Sequence, residues 1–337
     1  MPEHLTDRGP RVPAERLVAD LVPPPRFDAV RFETYRPDPA QPSQADAVDA
    51  LRAFAASIEA GDSRRRWFRR RPDDGAGGIY LDGGYGVGKT HLLASLWQVA
   101  PAPKLFATFV ELTHLIGALG FANAVEELGR FRLVCVDEFE LDDPGDTVLV
   151  STLLSRLREQ GVRLAATSNT LPDRLGEGRF AAEDFLREIQ SLASRFSVHR
   201  IDGDDYRHRG LPAAPPPYDD DAVTAFANGR AGISLDHFVD LTRHLAGVHP
   251  SRYGALVDGL EAVALTDVRT VHDQVVALRL VVLADRLYDR DLPVVASGVP
   301  LDQVFAPELL QGGYRKKYLR ALSRLTALAR EGSSRVG

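Results

Sequence analysis

Apolar residues along the first two thirds of the chain recur in two rhythms. Short apolar runs lie at Ile79–Leu81, Leu105–Phe109, Leu133–Asp137, Val162–Thr167 and Phe196–Ile201. Each has the length of a buried strand. Between them lie stretches with helical spacing. These are Lys89–Val99, then Asp146–Gln160 with Val150, Leu153, Leu154 and Leu157 on one face, then Ala181–Arg195. Strands alternating with helices predict a parallel sheet covered on both faces. Ahead of the first strand, Ser43 reads as a helix N-cap with Asp46 three residues on. Val48, Leu51, Ala55 and Ile58 follow, and Gly61 is expected to stop that helix.

Punctuation divides the chain. Residues 1–42 hold Pro23, Pro24, Pro25, Pro37, Pro39 and Pro42 and read as an extended arm. A core is expected over 43–208, a linker over 209–221 (within RGLPAAPPPYDDD), and a smaller domain over 222–332. In that last part the pattern predicts a helix capped by Ser234, an apolar run Ala262–Leu265, a helix near Val271–Leu287, a run Leu292–Ala296, and a final helix from about Lys317. VSTLLSRLREQGVRLAATSNTL (150–171) is echoed by LRLVVLADRLYDRDLPVVASGVPL (278–301), and SLASRF (191–196) by RALSRL (320–325). Any helix–strand pair of this composition produces some likeness. A structural echo would give the C-terminal part a sheet strand of its own.

Composition narrows the classes. The chain has 337 residues, 44% hydrophobic and 26% charged, in the range of folded globular proteins. A net charge of -6 offers no general attraction to DNA or anionic membranes, so nucleic acid is not an expected partner. One cysteine, Cys135, rules out an internal disulfide and a cysteine-based metal framework. The opening MPEHLTDRGPRVP has no apolar core of signal-peptide length, and no run reaches a membrane span, so a cytoplasmic protein is expected. Positive charge comes almost wholly from arginine; lysine stands only at 89, 104, 316 and 317.

Lys89 belongs to GGYGVGKT (83–90), which fits G-x-x-x-x-G-K-[ST] between a predicted strand and a predicted helix. Glycines at 83, 84, 86 and 88, with Tyr85 and Val87 between them, let backbone N–H groups turn inward around phosphate oxygens. The start of the helix, up to His91, adds positive potential. Lys89 would reach the β- and γ-phosphates and Thr90 would ligate Mg²⁺. A neighbouring strand should then present acids. LVCVDEFE (133–140) delivers Asp137 for the metal and Glu138 as general base toward the attacking water, 48 residues (137 − 89) after the lysine. A glutamate beside the metal aspartate marks ATP hydrolysis; a GTPase would need an Asn-Lys-x-Asp reader, which is absent.

Further candidates follow. Asn169, leaving the fourth strand, can hold the lytic water or the γ-phosphate. Arg195, just before the fifth strand, reads as an arginine finger acting on a neighbouring subunit, with Arg187 and Arg179 as alternatives. Gln44 either reads the adenine edge, with Phe32 and Tyr35 nearby, or simply starts a helix. Phe121 in GALGF either grips a polypeptide or packs in the core. Arg279 and Arg324 are both candidates for a lid arginine. RRRWFRRRP (64–72) reads as a solvated loop, the alternative being an anionic-ligand surface. Asp205, Tyr206 and Arg207 are expected to lock the core against the second domain.

The order of P-loop, Asp-Glu strand, strand-end asparagine and Ser-Arg-Phe box resembles AAA+ ATPases. LDGGYGVGKT, VDEFELDDPGD, GVRLAATSNTLPDRL (161–175), GDDYRHR (203–209), YRPDPAQPSQADAV (35–48) and the tail motifs LADRLYDRDLPVVASGVPL and LSRL together resemble the ZapE family, across most of residues 20–330. The resemblance implies an α/β P-loop (AAA+) core with a smaller, mostly helical C-terminal domain. It also implies Mg²⁺-dependent ATP hydrolysis, a nucleotide-dependent homo-oligomeric ring, and work on a protein partner in cell division, the tubulin-like FtsZ polymer being the partner implied for bacterial members. Val87 stands where better-known members have arginine, and HLLASLW (91–97) and KLFATFVELTHL (104–115) replace their Met-Asp-Phe-Tyr-like helix and His-Phe-rich strand. These departures leave the nucleotide chemistry untouched and imply that partner-facing surfaces differ from those of the better-known members. Two other function classes fit the residues alone: a nucleotide-gated switch with little turnover, and a DNA-associated loader ATPase.

Overall fold

In the computed structural model the described residues are 2–10, 18–65, 77–84, 86–139, 144–171, 194, 196–203 and 213–336. The chain forms two compact units, one of residues 14–23 and 27–209, the other of 1–13, 24–26 and 210–337.

The first unit is built on five parallel strands: β1 (Gly78–Gly83), β2 (Lys104–Thr108), β3 (Leu133–Asp137), β4 (Arg163–Ser168) and β5 (Phe196–Ile201). Their order across the sheet is β2-β3-β4-β1-β5. Side chains alternate between the two faces, as a pleated strand requires. Leu133 and Cys135 pack with α1 (Pro42–Arg65) and α2 (Lys89–Val99). Val134 and Val136 pack with α3 (Phe109–Leu119), α4 (Phe121–Leu128) and α5 (Pro144–Glu159). Burial on both faces explains why these strands read as unbroken apolar runs.

Several boundaries differ from expectation. The first helix starts at Pro42 and runs through Gly61 to Arg65. Pro at a helix start lacks only an N–H that would be unpaired there anyway, and one glycine costs about 1 kcal/mol, less than the packing of Leu51, Phe54 and Ile58 supplies. Ser43 is no cap; its hydroxyl accepts from the Asp202 N–H at 2.9 Å. Phe109 opens α3 instead of closing β2, because Thr108 and Glu111 form a capping box there. The helix expected at Ala181–Arg195 lies outside the described residues apart from Ser194.

The second unit is mostly helical around a three-stranded parallel sheet, β6 (Ile233–His237), β7 (Ala262–Val268) and β8 (Val294–Gly298), in that order. Its helices are α6 (Asp220–Ala227), α7 (Phe238–Gly247), α8 (Tyr253–Leu256), α9 (Gln274–Asp289) and α10 (Arg315–Val336). Ser234, expected as a cap, is a fully buried residue of β6, and the helix begins at Phe238. The N-terminal segment joins this unit: Glu3 pairs with β6 and Leu5 enters its core.

Candidate nucleotide-binding site

The loop after β1 turns on glycines. A Cβ on Gly83 would sit 2.3 Å from the Ile201 carbonyl oxygen, and Gly88 has φ +88° with the Tyr35 ring where its Cβ would lie. Neither position admits a side chain, at Gly83 because a backbone carbonyl lies too close and at Gly88 because of the positive φ and the Tyr35 ring. Gly86 also has positive φ, while Gly84 faces open space; Tyr85 lies outside the described residues. Val87 is buried, and its carbonyl accepts from the Tyr35 hydroxyl at 2.8 Å. Burial pushes the Tyr35 phenol up to about 12, which keeps it a donor. Thr34 and the Arg31 carbonyl meet His91 Nε2 at 2.9 and 3.2 Å. The side chain of His91 is therefore turned toward this arm segment, and burial lowers its pKa.

Lys89 Nζ donates to the carbonyls of Gly83 and Gly84 and to Asn169 Oδ1, the last at 2.8 Å. The ammonium thus ties the loop to the end of β4. Thr90 Oγ1 donates to the Asp137 carboxylate oxygens at 3.0 and 3.2 Å. Lys89, Thr90, Asp137, Glu138 and Asn169, read separately from the sequence, come together at the C-terminal ends of the strands, where parallel sheets bind ligands. One placement departs from expectation. β4 lies between β1 and the Asp137 strand, so the acid strand is next but one to the loop strand, and Thr90 spans the gap.

Asp137 is buried, and its carboxyl is pushed up to about 6, first by burial and then by the charge of Glu138; the Thr167 and Thr90 hydroxyls oppose the shift. The Thr90 hydroxyl and the Asp137 carboxylate form an all-oxygen, hard donor pair that fits Mg²⁺. Glu138 has φ +53°, a left-handed backbone that a non-glycine residue adopts at a cost of about 1–3 kcal/mol. Thr167 holds it there. Its hydroxyl accepts from the Glu138 N–H at 3.1 Å and donates to Asp137. The sequence reading missed Thr167, although a hydroxyl near the end of an otherwise apolar strand was a signal. It also missed Asp82, buried at the end of β1, whose pKa is raised by burial against the pull of Arg200 and Lys89.

The remaining candidates fall as follows. Gln44 is buried with its amide bridging the Asp38 N–H and the Asp202 carbonyl, both at 2.8 Å, which fastens α1 to the exit of β5. Phe121 opens α4 and packs partly buried against the core. Arg279 donates to the carbonyls of Leu245 and Val248, closing the C-terminal end of α7. Arg324 pairs with Asp285, beside the Tyr288 ring. Both guanidiniums are thus engaged within the second unit. Arg195, Arg187, Arg179, residues 66–72 and Asp205, Tyr206 and Arg207 lie outside the described residues. No helix among the described residues is long and apolar enough to cross a membrane.

The family model described as AFG1-like ATPase matches residues 11–230 and 225–335. The chain is similar to the cell division protein ZapE of Escherichia coli K12, 28% identical over 303 residues that cover 75% of this chain and 78% of that one. An uncharacterized protein of Schizosaccharomyces pombe is 29% identical over 149 residues, 39% of this chain and 33% of its own. Among solved structures, domain III of the Thermotoga maritima replication initiation protein DnaA aligns with a TM-score of 0.38 and 16% identity, over 60% of this chain and 72% of that one.

Proposed function

The chain belongs to the AFG1-like ATPase family, and from that premise we propose that it hydrolyses ATP with Mg²⁺ at the loop 83–90 and spends the energy on a protein partner. The observation that carries the reading is the meeting of Lys89, Thr90, Asp137 and Asn169 at one strand end, with Glu138 beside them.

The geometry supports these roles for the residues of the first unit. The triphosphate would replace the carbonyl and amide oxygens that Lys89 now contacts, since phosphate oxygens are the stronger acceptors for an ammonium. The amide of Asn169 is then released beside the terminal phosphate. Thr90 and Asp137 would hold Mg²⁺, which supplies charge neutralisation at the phosphates. Glu138 takes the proton of the attacking water, with its backbone held by Thr167. Arg195 is assigned to the γ-phosphate of an adjacent subunit in a ring, and a lid role for Arg279 or Arg324 would require it to leave the partners it holds within the second unit. The likeness to a cell division protein supports a division role, with FtsZ as the first partner to test, in the cytoplasm.

Purified protein should hydrolyse ATP, Glu138→Gln should bind ATP with turnover reduced about 100-fold or more, and Lys89→Ala should lose binding. Equal phosphate release by all three proteins would end the assignment.

A further inference from the structure

Part of the second unit parallels part of the first. Strand order β6-β7-β8 matches β2-β3-β4, and the pairing registers agree as far as Leu265, beyond which β7 bulges and pairs Val268 with Gly298. Lys104 pairs with Leu133 as Ile233 does with Ala262; Val134 pairs with Leu164 as Val263 does with Val294. TFVELT (108–113) in the first unit stands at HFVDLT (237–242) in the second, each running from the last residue of a strand into a helix. The 16-residue helices α5 and α9 occupy the same place between the paired strands.

Details that composition does not dictate repeat as well. Glu138, just past β3, has φ +53° and Asp267, at the matching position of β7, has φ +55°. The N–H of each donates to a hydroxyl of the next strand, Thr167 in one case and Ser297 in the other. The turn after the long helix carries positive φ at Gly161 and at Asp291. In both turns a backbone N–H reaches back to a helix carbonyl, Val162 to Leu157 and Leu292 to Leu287, each at 3.0 Å. The faces correspond too. Val134, Val136 and Leu164 share a core with α3 and α5, as Val263, Leu265 and Val294 do with α7 and α9. Cys135 and Ala165 face α2, as Ala264 and Val295 face α6. Shared strand order alone would not repeat register, two left-handed residues and their hydroxyl partners together.

The copies differ where the first would hold phosphate. In the first, Leu81 of β1 lies beside Thr167, and seven residues, 82–88, lead to Lys89 at the start of α2. In the second, Tyr218 lies beside Ser297, and Asp219 alone leads to Asp220 at the start of α6. The glycine loop is missing. Asp219 caps the helix by accepting from the Ala222 N–H at 2.7 Å, and Asp220 accepts from the Ser297 hydroxyl. Carboxylates at 219, 220 and 221 would repel an anion at this helix start.

We propose that residues 218–301 are a second copy of the 81–171 module that has lost its phosphate loop and is closed by Asp220 and Ser297, so each chain takes a single nucleotide, in the first copy. The single-nucleotide part rests on the ATP reading above. Calorimetric titration of the full chain with ATPγS and Mg²⁺ should give one site, and Lys89→Ala none. Two sites in the wild type, or one retained in Lys89→Ala, would overturn the closed copy. A wild type that binds none would defeat the ATP reading instead, and the copy relation is then decided without nucleotide. Ser297→Ala should lower Tm by about 2–4 °C, whereas Ser297→Thr, which keeps the hydroxyl and adds the methyl group that Thr167 carries in the first copy, should show little of that loss. A threonine as damaging as alanine at 297 would break the equivalence with Thr167.

Discussion

Thr167 shows how much one hydroxyl can hold in place. It accepts from the backbone N–H of the proposed base and donates to the carboxylate of the proposed metal ligand, so it ties the Glu138 backbone to the Asp137 side chain. Thr167→Ala should reduce kcat about 10-fold or more while leaving ATP affinity within a few-fold, and Thr167→Ser should restore most of the rate; steady-state kinetics across the three proteins checks this. Asp137 gives a pH prediction. Its folded pKa of about 6 lies above the ordinary 3.8, so the folded chain binds this proton more tightly than the unfolded chain. Stability from this group is fully present below about pH 4 and is lost as pH rises through 6. In nucleotide-free protein Asp137→Asn should therefore raise Tm by a few degrees at pH 7.5, about 1–3 kcal/mol, with the gain fading toward pH 4. Thermal melts at both pH values test it, and a lower Tm for Asp137→Asn at pH 7.5 would contradict the burial argument.

Among the elements, the segment around Tyr35 does work that its proline-rich surroundings conceal. The phenol fixes the Val87 carbonyl, and the ring fills the space beside Gly88, so this end of the loop is braced by the arm segment. Tyr35→Phe keeps the ring and removes one hydrogen bond of about 1 kcal/mol, so ATP affinity should fall about fivefold with little loss of Tm. Gly88→Ala should be far worse, since it meets both the positive φ and the ring. The sheet itself is insured by two apolar layers. Leu153→Ala, in the middle of α5, should cost about 2–5 kcal/mol by denaturant unfolding, and this belongs to packing alone.

At the scale of the whole molecule, the proposed ring places part of each site on another subunit. Arg195→Ala should keep ATP binding and lose turnover. Mixed with Glu138→Gln chains, it should regain part of the rate, because some interfaces then combine an intact base with an intact arginine. Absence of rescue at every mixing ratio would mean that the site is complete within one chain. The repeated module bears on this scale too. Under that proposal, the second sheet adds no second phosphate loop to the chain.

Reading the residues alone was enough for the P-loop, the Asp137–Glu138 strand, Asn169, and the limits of β3, β5 and α2, because local rules set them: apolar runs bounded by turns, glycines ahead of a helix, acids at a strand end. Helix ends were harder to see, since Pro42 and Gly61 obey packing against the sheet more than intrinsic propensity. Only the tertiary structure put β4 between β1 and β3, turned Gln44 and Arg279 toward backbone carbonyls, and joined Thr167 to the Asp137 carboxylate and the Glu138 N–H. Strand order and hydrogen-bond partners join residues far apart in the chain, so no local pattern encodes them. The same reason kept the repeat faint: its halves share few residues, and what they share most clearly is register and backbone angle, which exist only once the chain is folded.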